Sequence, residues 1–238
     1  MVHSLKVLQV KVSGRLAHFR KVFSNSTSLS YYFPPRTTIA GMLAAAMGLE
    51  RDSYYEKFDP NNIYIGVEAL TPLRKLTFAE TYLDTDNINL TKLRGLTNRV
   101  PITKEYVAAS KGESVTYAFY FYPADQEYKK AFSKPLYPIS LGPANMLSWV
   151  EEISEIDCEE VEDLSEKKVN GALPASSEVG VSPGTELIIE EGMPRSFDKV
   201  RRSGVLYNYY FSTNASSYTV KSGKVYGIEC IGKTIAFL

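Results

Sequence analysis

Apolar and polar positions alternate along residues 5–12, LKVLQVKV, with Leu8, Val10 and Val12 on one side and Lys11 on the other. That is the period-two pattern of a half-buried strand. A polar and aromatic stretch follows, SGRLAHFRKVFSNSTSLSYYFPPR, and its two prolines lead into TTIAGMLAAAMG. There Ile39, Met42, Leu43, Ala46 and Met47 fall at i, i+3, i+4, i+7 and i+8, one apolar stripe of a helix. Thr37 or Thr38 can cap its start and Gly48 can close its end. Gly41 inside it costs about 1 kcal/mol against Ala, which predicts another backbone packed close at that point. IYIGVEAL (63–70) reads as the next strand. LRKLTFAETYL and NRVPITKEYVA read as two more, separated by DTDNINLTKLRGLT, which is too long for a tight turn. Segment 73–108 is therefore a protruding hairpin bearing Arg74, Lys75, Lys92, Arg94, Arg99 and Lys104. VTYAFYFY (115–122) carries aromatics on both faces and predicts a central strand. Helix is expected from about Asp125, best defined at LGPANMLSWVEEI (141–153). Beyond Val169 the pattern is all-β: ELIIE (186–190), GVLYNYYFS (204–212), VYGIECI (225–231) and TIAFL (234–238).

This order predicts an α+β chain. Residues 1–168 resemble a ferredoxin-like (RRM-like) unit with an inserted hairpin, the thumb, at about 73–108. Residues 169–238 would form a smaller β-rich part. No internal repeat or low-complexity tract interrupts it.

At 238 residues, 44% hydrophobic and 23% charged, the chain can bury a core without metals or disulfides. No apolar run approaches the ~18 residues of a membrane span, and the start has no signal-peptide core. Cys158 and Cys230 are too few for a disulfide framework, so a reducing cytoplasm is the expected compartment. The acceptor-type matches at Asn25, Asn89 and Asn214 are then chance. Net charge is +0 but unevenly spread. No Asp or Glu precedes Glu50, whereas Lys6, Lys11, Arg15, Arg20, Lys21 and Arg36 do. Much of the acid lies in EEISEIDCEEVEDLSE (151–166), a solvated helix surface or loop by its charge. A neutral total can hide a basic face, and a phosphate backbone responds to the face.

One motif match fails on context. Gly227 to Thr234, GIECIGKT, fits the phosphate-binding loop pattern, but that loop needs a helix to follow it. The residues here are β-formers that predict a hairpin with a Gly-Lys turn. Metal-free RNA cleavage favours histidine, and the chain has His3 and His18. His3 reads as an ordinary exposed residue; His18, beside Phe19, Arg20 and Lys21, reads as binding or packing before catalysis. No zinc spacing or nucleophile–base arrangement is evident, so no metal, cofactor or small-molecule substrate is expected. Segment 15–38 combines cations (Arg15, His18, Arg20, Lys21, Arg36), aromatics (Phe19, Tyr31, Tyr32, Phe33) and hydroxyl or amide groups (Asn25, Ser26, Ser28, Ser30, Thr37, Thr38). Those are the groups that hold phosphates, bases and 2′-hydroxyls of single-stranded RNA. A polar loop with a few core aromatics would have the same composition.

The run Phe19-Arg20-Lys21, followed by Ser30-Tyr31-Tyr32-Phe33-Pro34-Pro35-Arg36-Thr37-Thr38-Ile39-Ala40-Gly41-Met42-Leu43, resembles the N-terminal signature of the Cas-five family. These are CRISPR-associated RAMP proteins of type I complexes. Tyr137 to Gly142, Thr97 to Pro101 and Gly192 to Arg195 are similar to later elements of that family. The resemblance, nearest the type I-A and I-B branches, implies a subunit of a CRISPR surveillance (Cascade) complex. It would bind the 5′ handle of the guide RNA (crRNA), cap the backbone-subunit filament, contact the large subunit and meet target DNA through the complex. It places handle contacts at His18, Phe19, Arg20, Lys21, Ser30, Tyr31, Arg36, Thr37 and Thr38, led by Arg20, Lys21, Ser30, Arg36 and Thr38. Thumb contacts would be Lys92, Arg94 and Arg99, and further phosphate contacts Arg195, Arg201 and Arg202. One branch of the family cuts repeat RNA with a tyrosine and a Lys-His pair near the thumb. No adjacent Lys-His pair occurs here, and no histidine follows His18, which implies a non-catalytic member. The alternatives are a metal-independent endoribonuclease using His18 and a scaffold with little RNA contact.

Overall fold

The computed structural model describes residues 4–24, 27–83, 89–95, 99–112, 114–230 and 232–238. His3, Asn25, Ser26, Thr97 and Asn98 lie outside them. The predicted first strand is β1 (Ser4–Gly14), and its alternation sorts Leu8, Val10 and Val12 to one face and Val7 to the other. Short β2 (Phe19–Arg20) and β3 (Ser30–Tyr31) pair with each other before helix α1 (Arg36–Met47) and strand β4 (Tyr64–Ala69). The thumb is a hairpin of β5 (Leu73–Leu83) and β6 (Arg99–Ala109), in continuous register from Leu73↔Ala109 to Leu83↔Arg99, with one turn of helix, α2 (Leu90–Leu93), beyond it. Next come β7 (Val115–Tyr122), α3 (Gln126–Ser133) and β8 (Ser148–Val161). The rest is strand: β9 (Lys168–Val169), β10 (Leu173–Pro174), β11 (Glu178–Gly180), β12 (Leu187–Pro194), β13 (Leu206–Ser212), β14 (Tyr218–Ser222), β15 (Gly227–Cys230) and β16 (Lys233–Ala236).

The main sheet has the order β16-β15-β8-β1-β7-β4, each pair antiparallel. Helices α1 and α3 cover one face over a core that includes Leu8, Val10, Leu43, Phe119 and Phe121. The sheet curls so far that β16, at one edge, lies over β4 at the other. The Leu238 amide donates to the Ile65 carbonyl at 2.9 Å, and a Cβ on Gly66 would meet the Ala236 carbonyl at 3.2 Å. That closure buries a second core of Val7, Ala118, Tyr120, Ile228, Ile235 and Phe237. Both faces of the aromatic strand β7 are therefore interior. Two small sheets, β10-β13-β12 and β11-β14-β9, complete the molecule, and Met193, Tyr209, Phe211 and Leu238 share the first core. The chain beyond residue 168 thus packs on, and in β15 and β16 extends, the sheet begun by β1.

Several expectations are corrected. The chain is mostly β where an α+β chain was expected, and residues 141–153 do not form the expected helix. They form a turn that runs into β8. Across from Lys11 and Val12 the register shifts, so Glu152 and Val150 become successive partners. This bulge turns Val150 and Ile153 toward the same core, and their spacing of three imitates a helical stripe. The acidic run belongs to β8 and its trailing turn. Lys6 pairs with Asp157 at 2.6 Å and Lys11 with Glu152 at 2.7 Å across the β1–β8 ladder. Basic start and acidic run are neighbours, not opposite faces. Neither Thr37 nor Thr38 caps α1: Pro35 holds that position, and its carbonyl accepts from the Thr38 and Ile39 amides. Gly48 closes the helix in the left-handed region, φ 74°. What approaches Gly41 is the Tyr54 hydroxyl, a side chain rather than the expected backbone. Finally, Cys158 and Cys230 face each other across β8 and β15 and form a disulfide. The sequence shows no such pairing, because the partners are 72 residues apart. Among the described residues no helix is long and apolar enough to cross a membrane.

Candidate nucleic-acid interface

The 15–38 segment wraps the base of the thumb. The Ala17 amide donates to the Val107 carbonyl at 2.9 Å and the Ser28 amide to the Thr103 carbonyl at 2.9 Å, so β6 aligns the loop on both sides. The His18 amide donates to the Leu141 carbonyl at 3.0 Å, which ties the same loop to the turn before β8.

Burial divides the predicted contact residues into two groups. Phe19 and Tyr31 are in the core, and the Tyr31 hydroxyl donates to the Gly192 carbonyl at 2.7 Å. Their rings cannot stack on bases without opening that core. Ser30 is fully buried, accepting from the Phe19 amide at 2.9 Å, and its own amide donates to Glu105 at 3.0 Å. Lys21 meets Glu190 at 2.6 Å, and the same carboxylate, 2% exposed, accepts from the Tyr32 amide at 2.9 Å. Arg36 is 2% exposed. Its Nη2 donates to the Phe58 and Ile63 carbonyls at 2.9 and 2.7 Å, and its Nη1 to the Arg195 carbonyl at 3.3 Å. Burial, with Arg195 adding, lowers its pKa to about 10, so it stays charged at neutral pH as an internal brace. These five side chains hold the loop rather than face a ligand. The signal that would have separated them is the distant acid or carbonyl partner, which composition does not show.

Arg20, Thr37, Thr38 and Arg201 are the second group. With Tyr54 and Tyr55 they line a cleft of about 340 Å³ at the start of α1, floored by the turn at Pro138–Gly142. Burial raises the pKa of both tyrosines, so both are neutral, and the Tyr55 hydroxyl donates to Asp52. The cleft combines two exposed guanidiniums, threonine hydroxyls, phenolic rings and a helix N-terminus, a set suited to a phosphate with its sugar and base. Sequence reasoning missed Tyr54 and Tyr55, which no motif marks.

Arg20 also borders a second cleft, of about 310 Å³, lined by His18, Ser28, Tyr82, Ile102, Lys104 and Pro143. It lies where the loop meets the thumb. His18 is 3% exposed, its Nδ1 lies 2.6 Å from the Glu105 carbonyl and its Nε2 3.0 Å from the Ser28 hydroxyl. Burial lowers its pKa, the Glu105 carbonyl opposes this, and Lys104 and Arg20 lower it further. The imidazole is therefore neutral near pH 7, with Nδ1 donating to the carbonyl. Lys104 packs its ammonium 5.0 Å from the Tyr106 ring. On the thumb, Arg94 and Arg99 are exposed and Lys92 lies in α2. Arg202 is exposed, and Arg195 sits over the Tyr207 ring at 5.4 Å.

Comparison with known proteins agrees with this architecture. A crystal structure of a CRISPR protein from Archaeoglobus fulgidus is similar, with TM-score 0.59 at 15% identity, covering 98% of this chain and 99% of that one. A chain of a CRISPR RNA-guided surveillance complex is similar with TM-score 0.56 at 13% identity, covering 88% and 90%. At these identities the likeness concerns the fold. No curated protein matches the chain. Residues 7–206, which include both clefts around Arg20, match the family model described as CRISPR-associated protein (Cas_Cas5), and the chain belongs to that family.

Proposed function

We propose that this chain is a subunit of a type I CRISPR effector complex that holds the 5′ handle of the guide RNA without cutting it. The observation that carries this reading is the pair of clefts on either side of Arg20, one at the α1 N-terminus and one at the thumb base. Each is the size of a ligand site and is lined by cations, hydroxyls and rings. The strand order β8-β1-β7-β4 with crossovers through α1 and α3 supports a ferredoxin-like unit as the frame. The thumb, with Lys92, Arg94 and Arg99, would reach RNA or the neighbouring backbone subunit. Capping of the filament, contact with the large subunit and indirect contact with target DNA belong to the same reading.

Arg20→Ala with Arg201→Ala tests it on a single-stranded handle RNA. Removing two phosphate contacts should weaken binding and flatten the slope of log affinity against log salt by about 1.4. Unchanged affinity and slope would sink the assignment and favour a scaffold. Arg36→Ala is unsuitable here, since it removes a brace from the interior.

One observation favours a second reading. His18, Lys104 and Tyr82 line one cleft although they are far apart in sequence, so a histidine, a lysine and a tyrosine meet beside the thumb. Against cleavage, both ring nitrogens of His18 are engaged and its edge is covered. Incubating labelled repeat RNA with the protein in EDTA separates the two. Intact RNA is expected; cleavage abolished by His18→Ala would establish the endoribonuclease.

A further inference from the structure

A cleft of about 650 Å³ belongs to neither site above. It opens between the β10-β13-β12 layer and the strand ends of the curled sheet. Tyr64 and Tyr226 come from the sheet side, their ring centroids 5.1 Å apart, and Phe237 packs 5.3 and 5.4 Å from them. Tyr207 faces them from β13, with the Arg195 guanidinium over its ring. The Arg195 Nε donates to the Leu238 carbonyl at 3.1 Å. Lys224 is exposed at the rim. The Asn208 Oδ1 accepts from the Gly192 amide at 3.0 Å, and its amide nitrogen is a donor. None of the lining residues is Asp or Glu.

We infer that this cleft takes one unpaired nucleotide of a single-stranded RNA, its base against the tyrosine walls and its phosphate at Lys224 and Arg195. Aromatic surface and two cations, with no Asp or Glu in the lining, select against a cationic or purely apolar occupant and match an anionic ligand with a flat ring. Volume agrees, since ligand clefts of about 300–1,000 Å³ enclose molecules of that class. Position agrees as well. The carbonyl of Arg195 accepts from Arg36, which occupies the first position of α1, so one residue joins this cleft to the helix that lines the Arg20 site. The inference rests on the RNA-binding reading above and extends it to a second region of the surface.

The experiment is photocrosslinking with a single-stranded oligouridylate carrying 4-thiouridine, followed by peptide mapping. Label on the segment spanning Tyr207 to Tyr226 is expected. Tyr207→Ala should weaken binding about tenfold and remove that label. Lys224→Ala, at an exposed position where folding is not at risk, should weaken it about threefold. Label confined to the Arg20 and Tyr54 region, with Lys224→Ala binding normally, overturns this inference and leaves the proposed function standing. Label confined to Tyr207–Tyr226 supports this site and refutes the Arg20 clefts. No label anywhere overturns both. Protection of Lys224 from acetylation by protein partners but not by RNA assigns the cleft to a peptide and also overturns it.

Discussion

At the scale of single residues, the informative contrast is between Arg20 and Lys21. They are adjacent cations in one loop, yet one faces two clefts and the other is enclosed with Glu190. Removing Lys21 leaves a carboxylate 2% exposed with the Tyr32 amide as its one hydrogen-bond partner among the described residues. Lys21→Met should therefore cost about 3 kcal/mol in chemical denaturation. RNA binding by the fraction that remains folded should be unaffected, which would not hold if Lys21 were itself a phosphate contact. His18 makes a pH prediction. Its folded pKa lies below the usual 6.5, so the unfolded chain takes up a proton that the folded one refuses. Stability is then fully present above about pH 6.5 and is lost as pH falls below it, by at most about 1.4 kcal/mol per unit. Urea unfolding of wild type and His18→Asn at pH 7.5 and 5.5 checks this: the variant should lose less on acidification. Equal losses would remove His18 from the account. Among predicted contacts, Arg20, Thr37 and Thr38 were legible as a cation and hydroxyls near a helix start, and Arg201 only as a cation between two later strands. Lys21, Ser30, Arg36, Phe19 and Tyr31 carry the same chemistry but point inward, and the partners that draw them there, from Phe58 to Glu190, lie elsewhere in the chain.

Elements were legible where one period dominates. β1, α1, the thumb hairpin, β7 and the terminal β15–β16 hairpin all follow their sequence patterns. β8 did not, because a bulge makes a strand present apolar residues three apart. The turn before β8 carries a sharper constraint than its sequence suggests. Gly142 has φ 114°, and a Cβ there would run into the His18 carbonyl. Since Pro138 to Gly142 floors the α1 cleft, Gly142→Ala should disturb both stability and binding. A loss of about 2 kcal/mol or more is expected, read as a drop of about 5 °C in thermal midpoint, together with weaker RNA binding. A variant as stable as wild type would show that the turn can yield without cost.

For the whole molecule, the decisive feature is the return of β16 over β4, which converts an open sheet into one with both faces covered. Both faces of the aromatic strand β7 are interior in consequence, as its aromatics on both faces predict for a central strand. The Cys158–Cys230 bond sits on the hairpin that makes this closure. Tying residues 72 apart should contribute about 2–4 kcal/mol. Cys158→Ala with Cys230→Ala, or added reductant, should lower the denaturation midpoint by that amount, with a thiol titration reporting the bond itself. A wild type with two titratable thiols and an unshifted midpoint would contradict this.

On the proposed RNA-binding reading, the wall shared at Arg20 would also set the shape of what can be bound. A strand occupying both neighbouring clefts has to climb over one guanidinium and descend on the far side. Its two bases would be splayed apart by that ridge and could not remain stacked on each other. A rigid duplex cannot make that bend within a single step, so the interface would accept a pliant strand and turn away a paired one, by curvature rather than by any letter of its sequence.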